Sequence, residues 1–256
     1  MPVYFIRSEQ IDRGKIVIGG DLAHHLRDVL RLREGETLFL VDEIPKRYFA
    51  KMVGRDSGRL LLEILREENA PAERLPKLRL GVGLLKGEKM EWVFQKATEL
   101  GVSRISPLGS KRSEVRPKAE RFDRQRGRWM KIATEAAQQS GRWDIPQIDP
   151  PSDLHAFVGE TASYGFKLIF WEKAPVLPLR PLLEPALRTS RSHGALLIGP
   201  EGGWETSEVE EAARQGYLPV SLGPRTLRAE TACLAALSIL QYELENSRKE
   251  GPRGNH

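Results

Sequence analysis

Along residues 1–68 apolar and polar positions alternate in short bursts separated by Gly and Asp. Val3–Ile6, Lys15–Ile18, Thr37–Val41, Arg47–Val53 and Arg59–Ile64 are such bursts, and a period of two predicts strands. One stretch departs from the alternation. Leu22, His25, Leu26, Val29 and Leu30 share a face at helical spacing, which predicts a short helix with Asp21 as its N-cap. Short strands around one short helix predict a small β-barrel over residues 1–70, an architecture that often binds RNA.

Glu67–Pro76 is polar, Pro-bearing and without periodicity, and predicts a linker. Beyond it the period changes. Leu78–Leu85 predicts a strand. Gly87–Leu100 predicts an amphipathic helix with Met90, Val93, Phe94 and Ala97 inward and Gly101 ending it. A strand at Val102–Pro107, a helix from about Ala119 to Gln139, and strands at Leu168–Trp171, Ala195–Ile198 and Pro219–Ser221 follow. Strands alternating with helices or loops predict an α/β domain over residues 71–246, with a mostly parallel sheet covered by helices. Residues 247–256 are polar and read as a disordered tail.

The net charge of +5 over 256 residues means little until it is divided along the chain. Residues 1–72 carry 12 basic and 12 acidic side chains; residues 77–143 carry 16 and 7, a net of +9; residues 144–247 carry 8 and 14, a net of −6. A basic middle segment is the footprint of a polyanion, although such runs also serve as solvated helix faces. The single cysteine, Cys233, excludes an intramolecular disulfide framework and any Cys-based zinc site. Met1–Arg7 lacks the shape of a signal peptide and no apolar run approaches a membrane span, so a soluble cytoplasmic protein without membrane contact is expected.

Two segments near the C-terminus carry the candidate chemistry. Gly199-Pro-Glu-Gly-Gly203 follows an apolar strand and precedes a helix to be capped by Thr206 or Ser207. It has neither the Lys-Ser/Thr of a P-loop nor Rossmann spacing, which argues against a triphosphate. What it offers is close approach of backbone to a ligand, because Gly202 and Gly203 remove side chains from the path. A plain strand-to-helix turn is the competing reading. Leu222-Gly-Pro-Arg-Thr-Leu-Arg-Ala-Glu-Thr231 places Arg225, Arg228 and Glu230 on a short irregular segment, with Thr231 opening a helix whose face is Leu234, Leu237, Ile239 and Leu240. Two such loops at one end of a parallel sheet are where α/β proteins bind nucleotide-like cofactors. A local ion-pair network of Arg225, Arg228 and Glu230 is the plainer alternative.

These loops also carry a resemblance. Ile198-Gly-Pro-Glu-Gly-Gly203, Leu222-Gly-Pro-Arg-Thr-Leu-Arg-Ala-Glu-Thr-Ala232, Lys86-Gly-Glu-Lys-Met-Glu-Trp…Lys96-Ala-Thr-Glu-Leu-Gly-Val102, Glu135-Ala-Ala-Gln-Gln-Ser-Gly-Arg142 and His24-His-Leu-Arg-Asp-Val-Leu-Arg-Leu-Arg33 span nearly the whole chain. Together they resemble the bacterial 16S rRNA uridine-N3 methyltransferase family, within the trefoil-knotted SPOUT methyltransferases. The resemblance implies S-adenosylmethionine as methyl donor, a PUA-like N-terminal barrel for RNA, a knotted catalytic domain, a homodimer, and 16S rRNA or the small ribosomal subunit as partner. It maps the cofactor to Leu197, Ile198, Gly199, Pro200, Glu201, Gly202 and Gly203, and to Leu222, Gly223, Pro224, Arg225, Leu227 and Arg228.

Within that mapping Arg228 is the candidate to hold the uracil oxygens and favour the anion at N3. Glu230 is the candidate to orient Arg228 or to accept the proton. A sulfonium attracts an anionic nucleophile, so no metal is expected. For RNA docking the candidates are Arg7, Arg27, Arg31 and Arg33 in the barrel, and Lys111, Arg112, Arg116, Arg121, Arg124 and Arg126 in the basic segment. Arg142 is a candidate for the rim of the active site, and part of the Leu234, Leu237 and Leu240 face is expected to pack between subunits. A related enzyme acting on another rRNA or tRNA base, and a non-catalytic RNA-binding assembly factor, are the alternatives.

Overall fold

A computed structural model describes residues 2–71, 76–114, 119–188 and 193–249, without the side chains of 119–121, 185–188 and 247–249. The chain divides into two compact units, Met1–Ala72 with Ala137–Ile145, and Glu73–Ala136 with Pro146–His256.

The first unit is a six-stranded sheet built from β1 (Val3–Phe5), β2 (Ile11–Asp12), β3 (Lys15–Ile18), β4 (Thr37–Val41), β5 (Lys46–Asp56) and β6 (Arg59–Asn69). Its order is β1-β4-β5-β6-β3-β2, with β1 parallel to β4 and the other ladders antiparallel. The alternation seen in the sequence sorts the faces: Ile16, Ile18, Leu38, Leu40, Ala50, Met52, Leu60 and Leu62 form one buried core. Irregularities at Phe49/Ala50 and Met52/Gly54 are of the kind that bends and twists a strand pair.

Two expectations are corrected here. β6 runs on through Glu67, Glu68 and Asn69, residues read as the start of the linker; pairing with Lys46–Tyr48 overrides their low strand propensity. The short helix α1 (Gly20–His24) is capped by Gly19, not Asp21, and passes into a π turn over His25–Val29. There the N–H of Leu30 donates to the carbonyl of His25 at 3.0 Å. This wider turn shifts the helical phase. Leu26 stays buried, while Val29 and Leu30 turn outward, 62% and 47% exposed.

The second unit holds β7 (Lys77–Gly83), β8 (Arg104–Gly109), β9 (Gln147–Ile148), β10 (Ser152–Asp153), β11 (Phe166–Phe170), β12 (His193–Ile198) and β13 (Leu218–Val220). All its ladders are parallel, in the order β10-β8-β7-β12-β11-β13 with β9 also on β8. Helices α2 (Glu88–Glu99), α4 (Leu154–Glu160), α5 (Arg180–Arg188), α6 (Thr206–Arg214) and α7 (Ala229–Lys249) accompany it, and α3 (Ala119–Gln139) ends in the first unit. Leu78, Leu80 and Val82 of β7 and Ala195–Ile198 of β12 are buried without alternation, as in central strands of a sheet covered on both faces. Met90, Val93, Phe94 and Ala97 of α2 are buried and Gly101 has φ +82°, as the apolar spacing and the helix-ending glycine predict.

α7 starts at Ala229, two residues before Thr231, because the Ala232 N–H reaches the Arg228 carbonyl at 2.8 Å. Its buried face is Cys233, Ala236, Leu237, Leu240 and Leu244, whereas Ile239 is 42% and Tyr242 66% exposed. The helix continues through 247–249; residues 250–256 lie outside the described residues.

Candidate functional site

Parallel strands bring their C-terminal ends to one edge. Phe170 of β11 pairs with Ile198 of β12 and with Val220 of β13, so the segments leaving all three strands converge. They enclose a cleft of about 300 Å³.

The first wall is residues 199–205, and it is held from several sides. Pro200 crosses β7 so closely that a Cβ on Gly83 would sit 2.6 Å from its Cδ. The Gly203 N–H donates to the Pro200 carbonyl at 2.9 Å, closing a turn that places Gly203 at φ +68°, where a side chain is strained. Glu201 accepts from Lys89 Nζ at 3.0 Å and from the Lys86 N–H at 3.3 Å. Burial pushes its carboxyl upward, but these bonds and one from its own backbone outweigh that and hold it below the ordinary glutamate range. Arg112 Nη1 donates to the Gly202 carbonyl at 3.3 Å, and a Cβ on Gly202 would meet Arg112 Cβ at 2.9 Å.

The wall then enters α6 through Glu205, which takes the N-cap role expected of Thr206 or Ser207. The reason is reciprocal bonding: the buried carboxylate of Glu208 accepts the Glu205 N–H at 2.9 Å and the Lys111 N–H at 3.0 Å. Lys111 Nζ also donates to Ser207 Oγ at 2.8 Å.

The second wall, residues 221–228, has few internal ties. The Gly223 N–H donates to Ser221 Oγ at 3.3 Å, and that hydroxyl lies 3.2 Å from the Gly223 carbonyl. Arg225 and Arg228 are exposed. Among the described residues no ion pair joins Arg225, Arg228 and Glu230, so the local ion-pair network does not form. Glu230 keeps one buried carboxylate oxygen, Oε2, without a hydrogen-bond partner.

Of the residues mapped to the cofactor, Ile198, Gly199, Pro200, Glu201, Gly202 and Gly203 line the cleft from the first segment, and Leu222, Arg225 and Leu227 from the second. Leu197, Gly223, Pro224 and Arg228 do not line it. Leu197 is buried within β12. A third wall escaped the sequence reading: Phe170, Trp171 and Glu172 at the end of β11, joined by Trp204 and Thr226. Phe170-Trp-Glu172 ends an apolar strand as the other two do, but it has no glycine to mark it, and strand order is not written in the sequence. The indole N–H groups of Trp171 and Trp204 are buried on this lining without a partner, and buried donors of this kind are costly unless something accepts from them.

The cysteine takes no part: burial pushes the Cys233 thiol up to about 12, so its reactive thiolate is absent near neutral pH.

The basic candidates separate. Lys111 and Arg112 hold the first wall, with Glu205 also 3.6 Å from Lys111 Nζ and 3.8 Å from Arg112 Nε. Arg124 and Arg126 are exposed on α3; Arg116 and the side chain of Arg121 lie outside the described residues. In the first unit Arg7 pairs with Glu9 at 3.5 Å and Arg27 with Asp28 at 2.6 Å, while Arg31 and Arg33 are exposed, Arg31 at φ +55°. Arg142 is mostly buried and forks onto Asp144 at 2.9 and 3.0 Å.

Comparison with known proteins gives this geometry a context. Residues 73–241 match the model of an RNA methyltransferase domain, and residues 18–65 match that of an RNA methyltransferase PUA domain. The chain is 33% identical to ribosomal RNA small subunit methyltransferase E of Bacillus subtilis (strain 168), over 96% of this chain and 98% of that protein. The crystal structure of the Neisseria gonorrhoeae protein of that name, bound to S-adenosyl methionine, superposes with a TM-score of 0.83 at 30% identity, covering 94% of this chain and 97% of the other. A Legionella pneumophila structure in complex with the bound cofactor SAM gives 0.78 at 33% identity, over 94% and 96% of the two chains. With a PUA-like sheet, an all-parallel α/β unit and a glycine-walled cleft at its strand ends, the chain belongs to the RNA methyltransferase family.

Proposed function

We propose that this protein transfers the methyl group of S-adenosylmethionine to N3 of a uridine in the 16S rRNA of the small ribosomal subunit. The observation that carries the reading is the cleft at the ends of β11, β12 and β13, in a chain that matches a small-subunit rRNA methyltransferase over nearly its whole length. The lining suits the cofactor. Ile198, Leu222 and Leu227 supply apolar surface, glycine backbone permits close approach, and two unpartnered indole N–H groups await acceptors.

When bound, S-adenosylmethionine supplies an electrophilic methyl on a positively charged sulfur. The first wall orients it by rigid backbone, and positioning of this kind supplies a large part of a transfer rate. Arg228, exposed beside the cleft and free of ion pairs, donates to the uracil oxygens as charge builds at N3. Glu230, one carboxylate oxygen of which is buried without a partner, either orients Arg228 or accepts the N3 proton in this scheme. Arg31 and Arg33 on the PUA-like unit, and Arg124 and Arg126 on α3, bind RNA phosphates.

In this reading the loops after the late strands form the trefoil knot of the SPOUT fold, and the enzyme is a homodimer. Leu237 and Leu240 are buried within the subunit, so the outward Ile239 and Tyr242 are the residues of α7 that meet the second copy. Ile239→Glu with Tyr242→Glu should shift sedimentation to a single chain of 28.9 kDa. No helix among the described residues is long and apolar enough to cross a membrane, and action in the cytoplasm, where rRNA is assembled, is part of the proposal.

The test is nucleoside mass spectrometry of 16S rRNA from cells lacking the gene, complemented by wild type or by Arg228→Ala. Loss of 3-methyluridine, restored by wild type alone, is expected. Unchanged 3-methyluridine in the deletion strain would overturn the substrate assignment.

A further inference from the structure

Three charged side chains line the cleft: Glu172, Glu201 and Arg225. They are not equivalent. Glu201 is committed to Lys89 and to the Lys86 N–H. Glu172 has no ion-pair partner among the described residues. Its neighbour Lys173 places Nζ over the Trp171 ring, 5.8 Å from the centroid. The Glu172 carboxylate faces the glycine turn of the first wall, its oxygens 3.6 and 3.8 Å from where a Cβ on Gly203 would stand. Arg225 stands on the second wall, exposed and also without an ion-pair partner among the described residues.

The cleft therefore presents one uncommitted anion and one uncommitted cation, on different walls and not bonded to each other. A neutral heterocycle has no use for either. A ligand that ends in an amino acid uses both, because its α-ammonium group and its α-carboxylate carry opposite charges on one carbon. Burying such an end without partners is costly, and charge-assisted hydrogen bonds to it are stronger than neutral ones.

We propose that Glu172 and Arg225 clamp the amino-acid end of the cofactor, Glu172 accepting from the α-ammonium group and Arg225 donating to the α-carboxylate. The proposal rests on the reading of the cleft as the S-adenosylmethionine site. It makes both residues binding determinants for the donor's amino-acid end, distinct from the backbone surface that receives the adenosine.

The test is calorimetric titration of the full chain with three probes. These are S-adenosylmethionine, its decarboxylated form, which keeps the amine, and methylthioadenosine, which lacks the amino-acid end. Glu172→Gln should weaken the first two about tenfold and leave methylthioadenosine within twofold. Arg225→Gln should weaken S-adenosylmethionine about tenfold and leave the other two within twofold. Both side chains are exposed, and an unchanged melting temperature verifies each fold. Equal loss of methylthioadenosine and S-adenosylmethionine, or no change in either variant, overturns the clamp while the cleft reading stands. A wild-type chain that binds none of the three overturns the cleft reading and the clamp with it.

Discussion

Residues 199–205 and residues 221–228 leave strands that flank the same neighbour, β11, and they wall the same cleft. The first is fixed by Gly83 beneath Pro200, by Lys89 and Lys86 on Glu201, by Arg112 on the Gly202 carbonyl, and by Glu208 beneath its exit. The second is tied only at its ends, by the Ser221 N–H on the Pro175 carbonyl at 2.9 Å, by Ser221 with Gly223, and by the Ala232 N–H on the Arg228 carbonyl, and it carries two arginines with no ion-pair partner among the described residues. A fixed wall is preorganised for binding, since little freedom remains to be lost. Charges left unpaired are available for a substrate whose charge changes during reaction. The pair divides the labour: the first loop holds through fixed backbone, and the second supplies side-chain charge, Arg225 toward the cleft and Arg228 beside it.

The largest effect should come from the second loop. Arg228→Ala should slow single-turnover methylation about 100-fold, the scale of losing one preorganised donor, with affinity for S-adenosylmethionine within threefold and melting temperature unchanged. Arg228 lies outside the cleft lining. Cofactor affinity falling as far as the rate would erase the distinction between the loops.

Gly83→Ala attacks the first loop from beneath. The new methyl would overlap Pro200, whose Cδ stands 2.6 Å from the Cβ position and whose N is closer still. Backbone has to move, at about 1–3 kcal/mol. Calorimetry should find cofactor affinity reduced about tenfold, and thermal melting should shift down by several degrees. Normal affinity in the folded variant would mean that the position of the first wall does not set the site. Gly202→Val is a less clean probe than glycine spacing alone suggests, because its Cβ points at Arg112.

Much of this was legible in the sequence where one physical signal decided the outcome. Alternation placed five of the six strands of the first sheet and missed only the two-residue β2. Helical spacing placed Met90, Val93, Phe94 and Ala97 inward, and glycine and proline marked both loops. What was illegible depended on partners far along the chain. β11 carries no glycine signature, so the Trp171–Glu172 wall emerges only once parallel pairing sets Phe170 beside Ile198. The π turn at His25–Val29 has no sequence period of its own, and it reversed the expected burial of Val29 and Leu30. The cap at Glu205 depends on Glu208, which is fixed in turn by the backbone of Lys111.

The same distant bonding splits the basic residues, and that split sharpens the comparison. Lys111 and Arg112 belong to the first wall, whereas Arg124 and Arg126 stand exposed on α3. Arg124→Gln with Arg126→Gln should weaken RNA binding several-fold. It should also flatten the salt dependence, by about 0.7–0.9 in slope for each phosphate that is no longer neutralised, with cofactor affinity unchanged. Lys111→Met should do the reverse, loosening the first wall and cofactor binding at unchanged salt slope. Identical salt slopes in all three proteins would remove α3 from the RNA path.

The smallest effect tests how the first wall is held. Glu201 has a carboxyl held below the ordinary glutamate range in the folded chain. A depressed folded pKa contributes stability that is fully present above the unfolded value and lost as pH falls through the folded one. Glu201→Gln removes this linkage, and its side chain is 25% exposed, so the contribution is about 1 kcal/mol or less. That corresponds to about 2–4 °C in a chain of this size class. Wild type should melt above the variant by a constant margin from pH 7 down to about 5. The margin should close as acidification passes below the usual glutamate pKa of about 4.3. Lys89→Met should shift the closing point upward, because it removes a donor that favours the charged form. A margin that stays constant down to pH 3, or one that Lys89→Met leaves in place, would show that Glu201 does not clamp the wall through its charge, and the rigidity of the first loop would then rest on Gly83, Arg112 and Glu208.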